Sequence, residues 1–314
     1  MPTYAIVGSG PLGRATARAL LGQGRRVRLV SRSPRMKPTP GLEQVAATAA
    51  DDEESVARLA KALDGAGTVY HCANAPYHRW TRELPGIWHG ILAACELAGA
   101  RLVIGTNLYA YGEPAAVMDA HHELSPCTRK GRVRAELEAE ALDAHEAGRL
   151  RVALVRASDF YGPEARESVL GDRFFAPLLA GKPAQHYGRR DVPHSYAYLP
   201  DFARAMAAVG TSDDEDLWGR SWIAPHDEPK TLDELEALLR ELRPRARINA
   251  MGPLMLRAGA LFVPAAREMI EMMYEFTRPF VVDSRETTER LGVQPTPLAR
   301  GLQASLAWYA AAQD

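Results

Sequence analysis

Cysteine is scarce in the sequence, and its spacing excludes two classes of small cross-linked protein. The three residues, Cys72, Cys95 and Cys127, lie far apart, and no two of them form a CxxC pair. A disulfide framework needs more cysteines, and a zinc ribbon needs paired ones. We therefore predict no metal site, and we expect a reducing compartment, the cytoplasm.

An excess of charge of one sign is also absent. The 38 Lys and Arg residues nearly balance the 39 Asp and Glu residues, which leaves a formal net charge of -1. No global field therefore attracts nucleic acid or an anionic membrane. We expect the partner to be a small-molecule substrate, with the chain acting as a monomer or a homodimer.

No uninterrupted apolar run is long enough to cross a membrane. The most apolar late stretch, residues 251–276, is broken by Arg257, Pro264, Arg267 and Glu268. A membrane helix needs about 20 largely apolar residues. The stretch instead predicts a helix pair, or one kinked helix, that packs on the core.

What the sequence does contain is a regular alternation of short apolar strands and helices. Such an alternation is typical of βαβ units and of a parallel sheet covered by helices on both faces. The predicted strands are residues 3–7, 26–32, 67–74, 101–107 and 150–163, with a further short strand within residues 43–52. We therefore predict an α/β fold, a doubly wound parallel Rossmann sheet.

The alternation weakens in the second half of the chain, which predicts a second, smaller lobe. The segments assigned to this lobe are residues 196–210, 218–225 and 231–244, together with the Met-rich stretch 251–276. We predict a dinucleotide-binding Rossmann domain over residues 1–162, to which residues 194–212 return, and a mainly substrate-binding lobe over residues 163–314.

A glycine-rich turn joins the first predicted strand to the first helix. Its residues are Gly8, Ser9, Gly10, Pro11, Leu12 and Gly13. In such a motif the first glycine allows the tight turn, the second lets the backbone approach a pyrophosphate, and the third lets helix and strand pack closely. The helix N-terminus then faces the phosphates. The motif predicts that these six residues bind a dinucleotide; the alternative is a strand-to-helix turn without a ligand.

The end of the second strand indicates which dinucleotide is bound. An NAD site usually carries Asp or Glu there for the ribose 2′-hydroxyl, whereas an NADP site uses a nearby cation for the 2′-phosphate. This sequence has Val30-Ser31-Arg32-Ser33, without an acid. Arg32 can pair with a phosphate and stack on adenine, and Ser31 can donate a hydrogen bond. We therefore predict NADP(H) rather than NAD(H); the alternative is that Arg32 is a solvated loop residue.

Several later segments follow one another in a recognisable order. They are "TVYHCANAP" (68–76), "LVIGTNLYAYGEP" (102–114), "VALVRASDFYGP" (152–163), "HSYAYLPDFARAM" (194–206) and the C-terminal residues 279–309. In this order they resemble the extended or atypical short-chain dehydrogenase/reductases, the NAD-dependent epimerase/dehydratase family. The resemblance implies a nicotinamide in a cleft between a Rossmann domain and a small C-terminal domain. It further implies cofactor contacts at Ala73, Asn74, Thr106 and Ser158.

The pair of residues on which that family's chemistry usually depends is missing. Family members carry a Tyr, and a Lys four residues later, on a helix after the fifth strand. Three registers of this segment are conceivable, and none yields Tyr with Lys: they give Cys127 with Gly131, Thr128 with Arg132, and Pro126 with Lys130. The position of the family's Ser falls on Asn107, with Thr106 beside it.

Three residues are candidates for replacing this pair: Asn107, Tyr109 and Lys130. Tyr109 follows the fifth strand at the end where ligands collect in open sheets, and it could polarise a carbonyl. Asn107 could orient a substrate oxygen, and Lys130 could hold a ribose or a phosphate. The alternatives are turn packing for Tyr109 and a solvated helix start for Lys130.

Three functions are consistent with these features. The first is an NADP(H)-dependent oxidoreductase acting on a small organic carbonyl, with a proton donor other than the Tyr and Lys pair. The second is a sugar-nucleotide epimerase or dehydratase, as the family resemblance implies. The third is an NADP-binding regulatory protein without turnover. The missing pair counts against the second function, and we favour the first.

Overall fold

The fold is described here from a computed structural model of residues 3–252, 256 and 264–312. A seven-stranded parallel sheet forms its centre, in the order β10-β6-β5-β4-β1-β2-β3. The strands are β1 (Thr3–Val7), β2 (Arg26–Ser31), β3 (Leu42–Ala46), β4 (Ala66–His71), β5 (Arg101–Asn107), β6 (Val152–Ala157), β7 (Phe160–Tyr161), β8 (Ala184–Tyr187), β9 (Ala197–Tyr198), β10 (Ser221–Ile223) and β11 (Ile248–Met251).

Helices lie on both faces of the sheet and in a lobe beyond it. They are α1 (Pro11–Gly22), α2 (Glu53–Leu63), α3 (Trp80–Ala98), α4 (Arg129–Glu146), α5 (Asp172–Leu179), α6 (Leu199–Thr211), α7 (Leu232–Leu242), α8 (Pro264–Ile270), α9 (Tyr274–Thr277), α10 (Arg285–Leu291) and α11 (Leu298–Ala311). Short 3-10 turns, Tyr77–Arg79 and Tyr109–Tyr111, follow β4 and β5.

Strand β1 shows why the sheet is buried on both sides. Its residues Ala5 and Val7 point into one apolar cluster, with Trp88 of α3 and Leu137 of α4. The alternate residues, such as Ile6, belong to a second cluster that contains α1 and α6. Because successive strand residues face opposite sides, a strand that is apolar throughout requires cover on both faces. The predicted doubly wound α/β fold is confirmed.

The lobe has a separate apolar core. Strands β8 and β11 pair in parallel, and α5, α7 and α11 pack around them through residues such as Phe175, Leu235 and Leu302. Two assigned segments lie elsewhere: α6, within residues 196–210, packs on the main sheet, and β10, within residues 218–225, pairs with β6 and completes that sheet. The buried Trp222 of β10 packs with α6 rather than with the lobe core.

The apolar runs predict helices that begin near Ile87 and Val133, and both observed helices begin earlier. Helix α3 begins at Trp80, and α4 begins at Arg129, where the Thr128 hydroxyl accepts a hydrogen bond from the Gly131 amide. A polar first turn conceals the start of α4, whereas Pro85 interrupts the helical pattern within α3. For α4 the difference matters, because it places Lys130 inside the helix.

The late apolar stretch contains two short helices, α8 and α9, in its described part. Arg257, one of the residues that interrupt the stretch, lies outside the described residues. Among the helices within residues 3–252 and 264–312, none is long and apolar enough to cross a membrane.

Candidate active site

The glycine turn forms a cradle in front of α1. Gly8 has a φ of 109°, and a Cβ there would lie 2.5 Å from the Ala73 amide nitrogen. A Cβ on Gly13 would lie 1.9 Å from the Gly8 carbonyl oxygen, so this close packing requires glycine. A Cβ on Gly10, in contrast, would meet nothing within 4 Å. Gly10 is also the N-cap of α1, and no side chain caps the helix there. These features fit a diphosphate, which would accept hydrogen bonds from the first amides of α1.

The other residues of the predicted dinucleotide site lie at the carboxyl ends of neighbouring strands. At the end of β2, the Ser31 hydroxyl donates to the Ser9 hydroxyl at 3.0 Å. Arg32 is exposed and, among the residues described, forms no hydrogen bond or ion pair. Ala73 and Asn74 follow β4, where the Asn74 side chain accepts a hydrogen bond from the Ala75 amide. These positions agree with a dinucleotide lying across the strand ends, where open α/β sheets bind ligands.

Thr106 and Ser158 are buried at the ends of β5 and β6. The Thr106 hydroxyl donates to the carboxylate of Glu138 on α4. The Ser158 amide donates to His226, while the Ser158 hydroxyl is buried and has no partner within the described part of the chain. Ser158 therefore has a free hydroxyl to offer a ligand, whereas Thr106 already holds a protein carboxylate.

Glu138 also binds Arg156, an ion pair that sequence reasoning missed. The Arg156 guanidinium donates to Glu138 at 2.6 Å and to the Tyr111 hydroxyl at 3.0 Å. Both charged side chains are buried, and this pairing keeps the pKa of Arg156 above its usual value despite its burial. Such a pair costs less when every remaining polar atom is bonded. The network fixes α4 relative to the ends of β5 and β6.

Asn107 and Tyr109 lie where β5 ends, as predicted. The Asn107 side-chain oxygen accepts a hydrogen bond from the Tyr109 amide at 3.2 Å, so it shapes the turn. The Tyr109 hydroxyl lies 3.5 Å from the Tyr77 hydroxyl, and its ring contacts Trp80. Burial raises the pKa of Tyr109 well above its usual value. Tyr109 can therefore donate a hydrogen bond, but it cannot serve as a base at neutral pH.

Lys130 is a buried residue rather than part of a solvated helix start. Only 1% of its surface is exposed, and its ammonium lies 4.6 Å from the centre of the Tyr77 ring. It forms ion pairs with Glu268 and, at 2.7 Å, with Glu271. Lys130 therefore joins α4 to α8, which contains Glu268, and to Glu271, which directly follows α8.

The inward face of α4 corrects the three registers considered from the sequence. Lys130, Arg134 and Glu138, each four residues apart, are buried, whereas Arg132 and Cys127 are exposed. The Arg134 guanidinium stacks over Trp80 at 4.7 Å and over Trp88 at 5.5 Å. The pair with four-residue spacing that faces the sheet is thus Lys130 with Arg134. Extending the apolar phase of α4 backwards, from Leu137 and Ala141, would have identified it.

A buried polar cluster lies where the lobe meets the end of β6. The Asp159 carboxylate lies 3.0 Å from His194 Nε2, and His194 Nδ1 lies 3.1 Å from the Glu275 carbonyl oxygen. Glu275 is 2% exposed, and burial, together with the charge of Asp159, raises its pKa well above the usual value. Glu275 stands in an otherwise apolar segment, so no sequence pattern singles it out.

No three His, Cys, Asp or Glu side chains are grouped as metal ligands within the described ranges.

Solved structures with the same fold cover nearly the whole chain. MoeE5 in complex with UDP-glucose and NAD is 22% identical, with 99% of this chain and 100% of that chain covered and a TM-score of 0.77. The UDP-glucuronic acid 4-epimerase of Bacillus cereus, in complex with NAD, is 16% identical, with coverage of 99% and 100% and a TM-score of 0.78. DesIV of Streptomyces venezuelae, a dTDP-glucose 4,6-dehydratase with NAD bound, is 18% identical, with coverage of 98% and 97% and a TM-score of 0.77.

A search of curated proteins found no significant match. At identities this low, the solved structures establish the fold alone. The sequence of residues 6–222, however, matches the model of the NAD dependent epimerase/dehydratase family. These residues make up more than half of the chain and contain the glycine cradle, the β5 turn and α4. The chain therefore belongs to the NAD-dependent epimerase/dehydratase family.

Proposed function

We propose that the protein is an enzyme that binds a nicotinamide dinucleotide, NAD(H), and acts as an epimerase or dehydratase on a nucleotide-activated sugar. The observation that carries this proposal is the cradle, which is closely packed at Gly8 and Gly13 and open at Gly10. Backbone amides that meet open space at a helix N-terminus favour binding of a diphosphate.

Two further findings support this substrate class over the small carbonyl favoured from the sequence. The matching structures named above carry UDP-glucose in one case and act on nucleotide sugars in the others, as their names state. They align over the lobe as well as the sheet, since at least 98% of this chain is covered. The same structures contain NAD, which does not support the NADP preference inferred from Arg32.

The residues of the cleft would hold the dinucleotide in a defined order. Amides of the glycine cradle would bind the diphosphate, and Ser9 with Ser31 would meet the adenosine ribose. Once bound, the nicotinamide supplies the chemistry of hydride acceptance and donation. The Tyr109 hydroxyl is available to hydrogen-bond a substrate oxygen, and Asn107 keeps the Tyr109 turn in place.

Lys130 and Arg134 occupy the inward, four-residue spacing that the family usually gives to Tyr and Lys. Both side chains already have partners, because Lys130 lies between two carboxylates and Arg134 stacks on indole rings. We infer that they contribute positive charge and position, while a different group moves the proton.

Binding of the dinucleotide is the first test. A Gly13→Ala substitution places a methyl group against the Gly8 carbonyl, so we expect affinity for NAD⁺ and NADH to fall at least about tenfold in calorimetric titrations. Gly22→Ala is the matched control on the same helix, because a Cβ there meets nothing within 4 Å, and its affinity should be unchanged. Equal affinities in the two variants would contradict the cradle.

Turnover is the second test. UDP- and dTDP-linked sugars are incubated with the protein and NAD⁺, and the products are followed by NMR. The proposal expects a rearranged or dehydrated sugar nucleotide without net formation of NADH. Binding without turnover of any sugar or carbonyl would instead favour the regulatory protein.

A second candidate is an NADPH-dependent reductase of a small organic carbonyl. The specific observation in its favour is the exposed Arg32 at the end of β2, where no acid is available for a ribose 2′-hydroxyl. Net oxidation of NADPH by an aldehyde or ketone, in the absence of any sugar nucleotide, would favour this candidate.

A further inference from the structure

We propose that Glu164, in the loop that joins β7 to α5, is a positioning residue for dinucleotide binding, and that it acts through Arg14 on the glycine cradle. The proposal rests on the function proposed above, because it concerns how firmly the cradle binds a diphosphate. It assigns a part in that binding to a carboxylate about 150 residues away from the glycine motif along the chain.

The Arg14 guanidinium connects Glu164 directly to the glycine cradle. Arg14 stands on the first turn of α1, and its Nη1 donates to the Ser9 carbonyl oxygen at 2.8 Å. Its Nε donates to the Glu164 carboxylate at 2.5 Å. The other oxygen of that carboxylate accepts a hydrogen bond from Arg18, one turn further along α1, at 3.0 Å. Glu164 therefore holds the guanidinium in place against the Ser9 carbonyl.

The direction of the Ser9 carbonyl determines the direction of the Gly10 amide. The two groups belong to one trans peptide unit, which is planar, so they point in opposite directions. Within the described residues, the Gly10 amide donates no hydrogen bond. A Ser9 carbonyl that is held by Arg14 therefore keeps a free amide facing away from Arg14 at the N-terminus of α1, where an oxygen of a diphosphate would accept it.

The backbone of Glu164 has an unusual conformation. Its φ is 69°, and no other residue besides glycine has a positive φ in the part of the chain that the structure describes. This region is disfavoured for a residue with a Cβ, and such a conformation persists where the surrounding structure enforces it. The next residue, Ala165, is buried in one apolar cluster with Ala15 of α1. The loop is thus packed on α1 in a conformation that directs Glu164 to the two arginines.

The charge of Glu164 fits a role in positioning Arg14. Partial burial by itself would raise the pKa of Glu164, but the hydrogen bonds and charges of Arg14 and Arg18 hold it below its usual value, so the carboxylate is ionised at neutral pH. A carboxylate this close to a diphosphate site opposes binding by its charge. An ion pair with side chains 20–28% exposed also adds little stability. The hydrogen bond from Arg14 to the Ser9 carbonyl gives this carboxylate a favourable part in binding.

The first experiment uses the opposite signs that charge and positioning predict. In calorimetric titrations, Glu164→Gln should bind NAD⁺ and NADH at least about fivefold more weakly than the wild type, because Arg14 is no longer held against the Ser9 carbonyl. If Glu164 acted by its charge alone, neutralising it would strengthen the binding of these anions. Unchanged or increased affinity in Glu164→Gln therefore overturns the proposal.

Arg18→Met is the matched control. Arg18 pairs with the same carboxylate from the same helix, but within the described residues it has no hydrogen bond to Ser9. Its loss should change affinity by less than about twofold. Arg14→Met should weaken binding, and adding Glu164→Gln to Arg14→Met should weaken it no further, because the carboxylate acts through the guanidinium. Additive losses would show that the two residues act independently, which contradicts the proposal.

Glu164→Gly separates affinity from stability. Glycine adopts a φ of 69° without strain, so this variant should fold, and its thermal unfolding midpoint should stay within about 4 °C of the wild type. It should nevertheless lose as much dinucleotide affinity as Glu164→Gln does. A purely structural role predicts the reverse, a lowered midpoint with normal affinity, and that result would overturn the proposal.

The same titrations distinguish failure of this inference from failure of the proposed function. A wild-type protein that binds no nicotinamide dinucleotide would overturn the proposed function, and this inference with it. Normal binding by the wild type, with unchanged affinity in Glu164→Gln and Glu164→Gly, would overturn this inference alone.

Discussion

At the scale of single residues, Arg32 is the side chain that bears on which dinucleotide the site binds. It is exposed, and the end of β2 has hydroxyls rather than a carboxylate. A carboxylate at this point would repel a 2′-phosphate, whereas a guanidinium can bind it in a bidentate manner. The second candidate function, an NADPH-dependent reductase, therefore depends on whether Arg32 meets a 2′-phosphate.

Arg32→Asp should separate the two dinucleotides. We expect affinity for NADPH to fall at least about tenfold, the equivalent of one charge-assisted hydrogen bond, and affinity for NADH to stay within about threefold. Arg35→Asp, at an exposed position of the same loop, is the control. Equal losses for both dinucleotides would show that Arg32 does not meet the 2′-position.

At the scale of helices and strands, α4 is fastened to the lobe through one buried cation. Lys130 lies between Glu268 and Glu271, and the side chains of both carboxylates are about one-fifth exposed. If the cation is removed, two carboxylates remain close together without compensation. Removing one partner of a buried ion pair therefore lowers stability more than replacing both partners with apolar residues does.

Lys130→Met should accordingly lower the free energy of unfolding by about 3 kcal/mol in urea titrations. Arg129 is the control: it is exposed and lies 3.8 Å from the same Glu271, so Arg129→Met should cost less than about 1 kcal/mol. A similar loss of unfolding free energy in both variants would mean that the burial of Lys130 does not strengthen its ion pairs.

The elements themselves were largely predictable, and their polar ends were not. Strands β1, β2, β4 and β5 were expected from apolar runs, because burial on both faces demands such runs. The burial of Lys130 and Arg134 was missed because their side chains are polar and their partners come from distant residues. Periodicity identifies apolar faces; it does not identify a charge that tertiary contacts have paired.

At the scale of the whole molecule, three buried histidines make stability depend on pH. Burial lowers the pKa of His71 to about 3 and those of His186 and His226 to about 4. His226 accepts a hydrogen bond from the Ser158 amide at one nitrogen and lies 2.5 Å from the Ala224 carbonyl at the other, as a neutral ring requires. Below pH 6.5 these histidines bind protons in the unfolded chain but not in the folded chain. Stability therefore falls as pH decreases toward about 4.

His226→Gln should remove one of the side chains that take up a proton on unfolding. The decrease of the unfolding free energy between about pH 6.5 and 4 should become shallower by about 1.4 kcal/mol per pH unit. His78→Gln, at an exposed position, should leave the slope unchanged. An unchanged slope in His226→Gln would mean that this ring takes up its proton in the folded state.

Strand β10 has a consequence for synthesis of the protein on the ribosome. It is an edge strand of the sheet, yet it stands at residues 221–223, after β7, β8 and β9 have been made. Until it emerges, the outer edge of β6 has open backbone groups that invite pairing with a neighbouring nascent chain. Ribosome-bound fragments that end before residue 221 should therefore need chaperone protection.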